Sequence, residues 1–138
     1  MMKNGFMTAV QESKFTIWTA RILCLLTMGL VVWKSLAQIN LPNSFNNMDK
    51  VLHFGAYFTV CGLALLARFS KRALITVFAV ILMGVIIEFL QGTMNIGRSI
   101  SFWDAVANSA GAFLAFSIWL LFQARPDKAS TSVSEISA

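Results

Sequence analysis

Along this chain the polar and apolar positions are segregated into long apolar blocks parted by short polar connections. Val51 to Ala67 contains no Lys, Arg, Asp or Glu and has His53 as its one histidine. Ala73 to Leu90 is interrupted by a single charge, Glu88, close to its end, and Ala105 to Phe122 carries none. As helices these blocks extend about 25–27 Å at 1.5 Å per residue, a short but adequate crossing of a bilayer core about 30 Å thick. An earlier block is weaker: Ile22 to Trp33 is bounded by Arg21 and Lys34. Extended to Ile17–Ala37 it spans if both cations snorkel toward opposite headgroup layers, with Trp18 and Trp33 near the two interfaces. The pattern predicts an all-α, polytopic membrane protein, a bundle of four transmembrane helices over residues 17–123. Residues 1–16 are expected to be a cytoplasmic lead-in and residues 124–138, polar and rich in Ser and Thr, a disordered cytoplasmic tail. A second reading makes the first block a signal peptide, with Lys3, Lys14 and Arg21 as its basic region and Ser35-Leu36-Ala37 as a small-x-small cleavage site. Retention or removal of residues 1–37 stays open, and either leaves the other three helices oriented alike.

Composition excludes the alternatives. The chain is 57% apolar and 12% charged, against roughly 45–50% and about 25% in soluble domains. That leaves too few polar groups to coat a soluble globule, and neither disorder nor a disulfide scaffold has this composition. The formal charge of +5 comes from 11 Lys and Arg against 6 Asp and Glu. Arg68, Lys71 and Arg72 crowd the connection between the second and third helices, so that loop is expected in the cytoplasm. Both termini of this cell-membrane protein are then expected in the cytoplasm, leaving Lys34, Lys50 and Arg98 outside. The cations therefore report orientation; scattered as they are, they make no nucleic-acid surface.

This topology collects the remaining polar residues at one face. Asp49, Lys50 and His53 open the second helix at its outer end, with Tyr57 a turn deeper. Glu88 and Gln91 close the third, Arg98 lies in the outer loop, and Asp104 and Asn108 open the fourth. Asp49, His53 and Tyr57 follow an i, i+4, i+8 course; Glu88 and Gln91 are i, i+3; Asp104, Asn108 and Gly111 are i, i+4, i+7. Polar stripes on membrane helices face protein or water rather than lipid, so one shared pocket roofed by the Arg98 loop is expected.

The blocks Asp49-Lys50-x-x-His53-Phe54-x-x-Tyr57, Glu88-x-x-Gln91, Arg98 and Asp104-x-x-x-Asn108-x-x-Gly111 resemble the VanZ-like membrane proteins, over roughly Met48 to Ala115. The resemblance implies several membrane helices and a link to the cell envelope, the founding member being associated with resistance to the glycopeptide teicoplanin. It brings no settled catalytic mechanism.

Each candidate residue has a structural role to set beside a chemical one. Glu88 either ties helices together through Lys50 or Arg98, or serves substrate or proton chemistry. His53, flanked by Asp49 and Tyr57, is either a base or proton shuttle, or bonds across helices. Asp49, Tyr57, His53 and Glu88 are the catalytic candidates; Lys50, Gln91, Arg98, Asp104 and Asn108 are the substrate-binding candidates. Arg98 either pairs with Asp104 or holds a phosphate or carboxylate of an envelope molecule. Asp49, His53, Glu88 and Asp104 have metal-ligand chemistry, but no His-Glu-x-x-His spacing supports a site, so no metal is expected. No cofactor is assigned, and no phosphate loop, Gly-x-Ser-x-Gly elbow or Cys-x-x-Cys pair occurs. Cys24 and Cys61 are read as apolar fillers, and the Ala107, Gly111, Ala115 row as a seam for close helix approach. Three functions compete: recognition of an envelope lipid or glycopeptide-type ligand, enzymatic action on a lipid-linked substrate, and proton-coupled transport or conduction. Membrane lipids are the general partners; oligomeric state stays open.

Overall fold

Backbone amides within hydrocarbon have no water to bond, so each apolar block must satisfy its N–H and C=O groups internally and becomes a helix. The computed structural model describes residues 13–37, 48–94 and 101–123. They form four helices: α1, Lys14–Leu36; α2, Met48–Ala67; α3, Ala73–Thr93; and α4, Phe102–Gln123. All four are long and apolar enough to cross a membrane, and no strand occurs among the described residues. The protein is an all-α four-helix bundle. The expected disordered tail, most of the N-terminal lead-in and Arg98 lie outside the described residues.

Every helix outruns its apolar block by up to a turn. α1 begins at Lys14 rather than Ile17, α2 takes in Met48 to Lys50, α3 continues to Thr93, and α4 starts at Phe102. End turns need no apolar surface, because their unpaired groups are met by caps or water. Asp49 and Asp104 therefore stand on first turns, held by helical backbone rather than by loops.

α2 is the central helix, packing against all three others and most extensively on α4. Small side chains permit this. A Cβ on Gly111 would collide with the Phe54 carbonyl oxygen and lie 2.9 Å from Phe58 N, so the backbones of α2 and α4 meet at that crossing. Ala112 and Ala115 continue the seam, both buried with Cys61 and Ala64. Cys24 and Cys61 are free and buried, and the Cys24 thiol points at Val60 O, 3.8 Å away. Outward, Leu26, Phe78, Leu82, Phe89 and Leu121 are more than half exposed, as a lipid-facing surface requires.

At the basic end Arg21 does not simply reach for headgroups. Its Nε donates to Ala67 O at 3.1 Å, and its guanidinium lies 5.0 Å from the Trp18 ring centroid and 5.9 Å from that of Phe69. The last carbonyls of α2 lack helical partners and carry the negative end of the helix dipole, so a cation is drawn there. Next to it Arg68 turns the chain at φ 51°, the left-handed conformation common just past a helix end. At the opposite, polar end Gln91 Nε2 donates to Ser35 O at 2.6 Å, meeting one of the orphan carbonyls of α1. The first helix is thus bonded to the bundle at both ends.

Candidate functional site

The polar end gathers side chains from three helices. His53, on α2, stands in the middle. Asp49 precedes it by one turn, with Oδ1 3.7 Å from His53 Nε2. Asp104 approaches from the first turn of α4, its Oδ2 3.9 Å from the same nitrogen. The other ring nitrogen, Nδ1, donates to Asn108 Oδ1 at 3.1 Å. Lys50 Nζ lies 3.8 Å from Asp104 Oδ1. The site atoms of Asp49, His53 and Asp104 all fall within 4.8 Å of one another. Such a group fits at this depth because the α2–α4 crossing at Gly111 brings the two first turns together.

Local sequence explains how Asp104 is presented. Ser101 precedes α4, and its Oγ accepts from Asp104 N at 3.3 Å, the N-cap bond that fixes the first turn. Ser101-Phe102-Trp103-Asp104 has the spacing of a capping box, in which the acidic side chain would turn back onto the Ser N–H. Here Glu88 takes that task instead: its Oε2 accepts from Ser101 N at 3.2 Å. Asp104 is thereby released from capping and faces His53 and Lys50. Its Oδ1 is buried without a hydrogen-bond partner among the described residues.

The candidates therefore divide. Asp49, Lys50, His53, Asp104 and Asn108 form one cluster. Glu88, 4% exposed, accepts from Ser101 N and is not one of the three ligand-type residues that converge. Gln91 binds Ser35 O, tying α3 to α1. Tyr57 is 1% exposed and packs where a Cβ on Gly84 would lie 2.9 Å from its Cε1; its hydroxyl is buried with no hydrogen-bond partner among the described residues. Arg98, read either as a partner of Asp104 or as an anion-binding residue, lies outside the described residues; among those described, Lys50 pairs with Asp104. Ser101 is legible in the Ser-x-x-Asp spacing, whereas Ser35 acts through a backbone carbonyl that carries no sequence signal.

Beside the cluster a groove runs between α1 and α2, with a volume of about 400 Å³. Leu30, Val31 and Leu52 make its apolar wall, while Lys34, Asp49 and His53 line its polar part. Phe102 and Trp103 stand exposed beside Asp104 at this end, as side chains at a membrane interface do.

Comparison with known proteins adds one finding. The chain matches the family described as VanZ/LLP1 over residues 4–123. No curated protein and no solved structure matches it.

Proposed function

The chain belongs to the VanZ/LLP1 family, and from that premise we propose that it is a cell-membrane protein whose polar end receives an envelope amphiphile. The ligand class is a lipid-linked precursor or glycopeptide-type molecule, with an effect on teicoplanin-type susceptibility. One observation carries this reading: the groove between α1 and α2 is lined both by the apolar Leu30, Val31 and Leu52 and by Lys34, Asp49 and His53. A lipid tail entering from the acyl layer would lie along the first and leave its anionic head among the second. Lys34 and Lys50 supply the positive charge for it. The Arg68, Lys71, Arg72 turn favours the cytoplasm for the opposite end, which puts the groove's polar part on the outer face.

Expression and deletion strains test the reading by teicoplanin susceptibility and envelope-lipid profile, with native mass spectrometry of the protein in nanodiscs made from envelope lipids. Retention of a phosphate-bearing lipid by the wild type, reduced in a Lys34→Gln/Lys50→Gln variant, is the expected result. Unchanged susceptibility and lipid profile, with no lipid retained, would refute it. An enzymatic version places acid–base work on His53, which two carboxylates face; its mark would be turnover of that lipid, lost in His53→Gln.

A further inference from the structure

The contact between His53 and Asn108 determines which way the imidazole presents its lone pair. An amide oxygen only accepts, so the 3.1 Å contact of Nδ1 with Asn108 Oδ1 requires the proton on Nδ1. In the neutral ring Nε2 then carries a lone pair, and that lone pair faces two carboxylates, at 3.7 and 3.9 Å. Three electron-rich atoms brought this close repel one another, and a positive charge between them would turn that repulsion into attraction. A proton on Nε2 could neutralise them, but both separations are too long for the hydrogen bonds it would make. A bare cation fits better. A point equidistant from three atoms so spaced is about 2.0–2.5 Å from each, the range of metal–nitrogen and metal–carboxylate bonds.

We propose that Asp49, His53 and Asp104 bind a first-row divalent cation, Zn²⁺ or Mn²⁺, at the polar end of the bundle. One imidazole with two carboxylates suits these ions better than Mg²⁺ or Ca²⁺, which favour all-oxygen sites. Asn108 is the outer partner that orients a metal-bound histidine through its second ring nitrogen. Asp104 Oδ1, buried without a hydrogen-bond partner among the described residues, shows that this carboxylate is not consumed by capping, since Glu88 holds Ser101 N in its place. The ligands come from two helices far apart in sequence, which is why no local ligand spacing announces them. Three protein ligands leave coordination positions open. Asp49 and His53 also line the groove, so an open position there would accept an oxygen of an anionic ligand. Lys50, 3.8 Å from Asp104 Oδ1, competes with the ion for that carboxylate. The cation site stands on this geometry alone and does not require the envelope ligand.

The test uses the full chain, purified in detergent without a histidine tag, treated with chelator and titrated with ZnCl₂ and MnCl₂ in a calorimeter. The expected result is one equivalent of ion bound per chain. Asp104→Asn and His53→Gln should each weaken binding at least 30-fold, and Asn108→Ala roughly 10–100-fold, the usual effect of losing an outer-shell partner. Lys50→Gln should tighten it, the opposite of its expected effect on anionic-lipid retention. Ser117→Ala, on the exposed far part of α4, should leave it unchanged. Cobalt supplies a readout in the unaltered protein: Co²⁺ should give visible d–d absorption that one equivalent of Zn²⁺ displaces. Failure of monodisperse, helical wild type to bind Zn²⁺ or Mn²⁺ at millimolar concentration would overturn the proposal. Binding that survives both Asp104→Asn and His53→Gln would overturn it as well.

Discussion

Substitution of Gly111 by alanine tests the packing on which the polar cluster depends. The added Cβ would collide with the Phe54 carbonyl oxygen and stand 2.9 Å from Phe58 N and 3.1 Å from Phe54 C. All three are backbone atoms of α2, so no rotamer change relieves the contact and the helices must move apart. Overpacking costs about 1–3 kcal/mol when side chains can yield; against backbone the upper end, about 3 kcal/mol, applies. Helix propensity returns about 1 kcal/mol, since alanine is the better helix former, leaving a net loss of about 2 kcal/mol. At about 3–5 °C per kcal/mol for a chain of this size, the melting temperature in detergent should fall by roughly 6–10 °C. Asn108 lies one turn before Gly111, so the same displacement should lengthen its bond to His53. Gly62→Ala is the matched control, because nothing lies within 4 Å of a Cβ there, and it should be neutral or raise stability by up to about 1 kcal/mol. Thermal melts followed by size-exclusion chromatography measure both. Equal melting temperatures for the two variants would refute the close α2–α4 crossing.

The other predictions concern the bonds that hold the two ends. Gln91→Leu should cost about 1 kcal/mol, the usual magnitude for an interhelical bond in a membrane, by leaving Ser35 O without its donor; the variant's melting temperature gives the value, and no change would remove Gln91 from the helix contact. Arg21→Ala should lose about 1–2 kcal/mol through the Ala67 carbonyl and the Trp18 and Phe69 rings, and Arg21→Lys should restore only part of it in the same melts. Glu88→Gln keeps an oxygen for Ser101 N and should melt within about 1 kcal/mol of wild type, whereas Glu88→Ala should lose about 1 kcal/mol or more by removing the acceptor of this part-buried donor. A cysteine at Lys71 in a background lacking Cys24 and Cys61 should label only after permeabilisation, and one at Phe102 in intact cells; the reverse pattern would invert the topology.

The sequence alone determined the medium, the number of helices and the gathering of polar residues at one end, because each follows from local order. A long apolar block has one way to satisfy its backbone in lipid, and Asp49, His53 and Tyr57 share a helix face by their spacing alone. The four expected spans differ from α1 to α4 only at their ends, where polar turns continue the helix beyond the apolar block. Which polar residues meet was decided by tertiary structure. Glu88 was legible as a costly charge in an apolar helix, yet its bond to Ser101 N depends on where the α3–α4 connection returns. Asp104 could have capped its own helix on the Ser-x-x-Asp spacing; Glu88 takes the Ser101 N–H, and the crossing at Gly111 sets Asp104 against His53. Gln91 and Ser35 meet only because α1 and α3 lie side by side. Periodicity fixes a residue's face on its own helix, whereas its partner depends on the depth and angle at which another helix arrives. Here contacts as small as a missing Cβ set that depth.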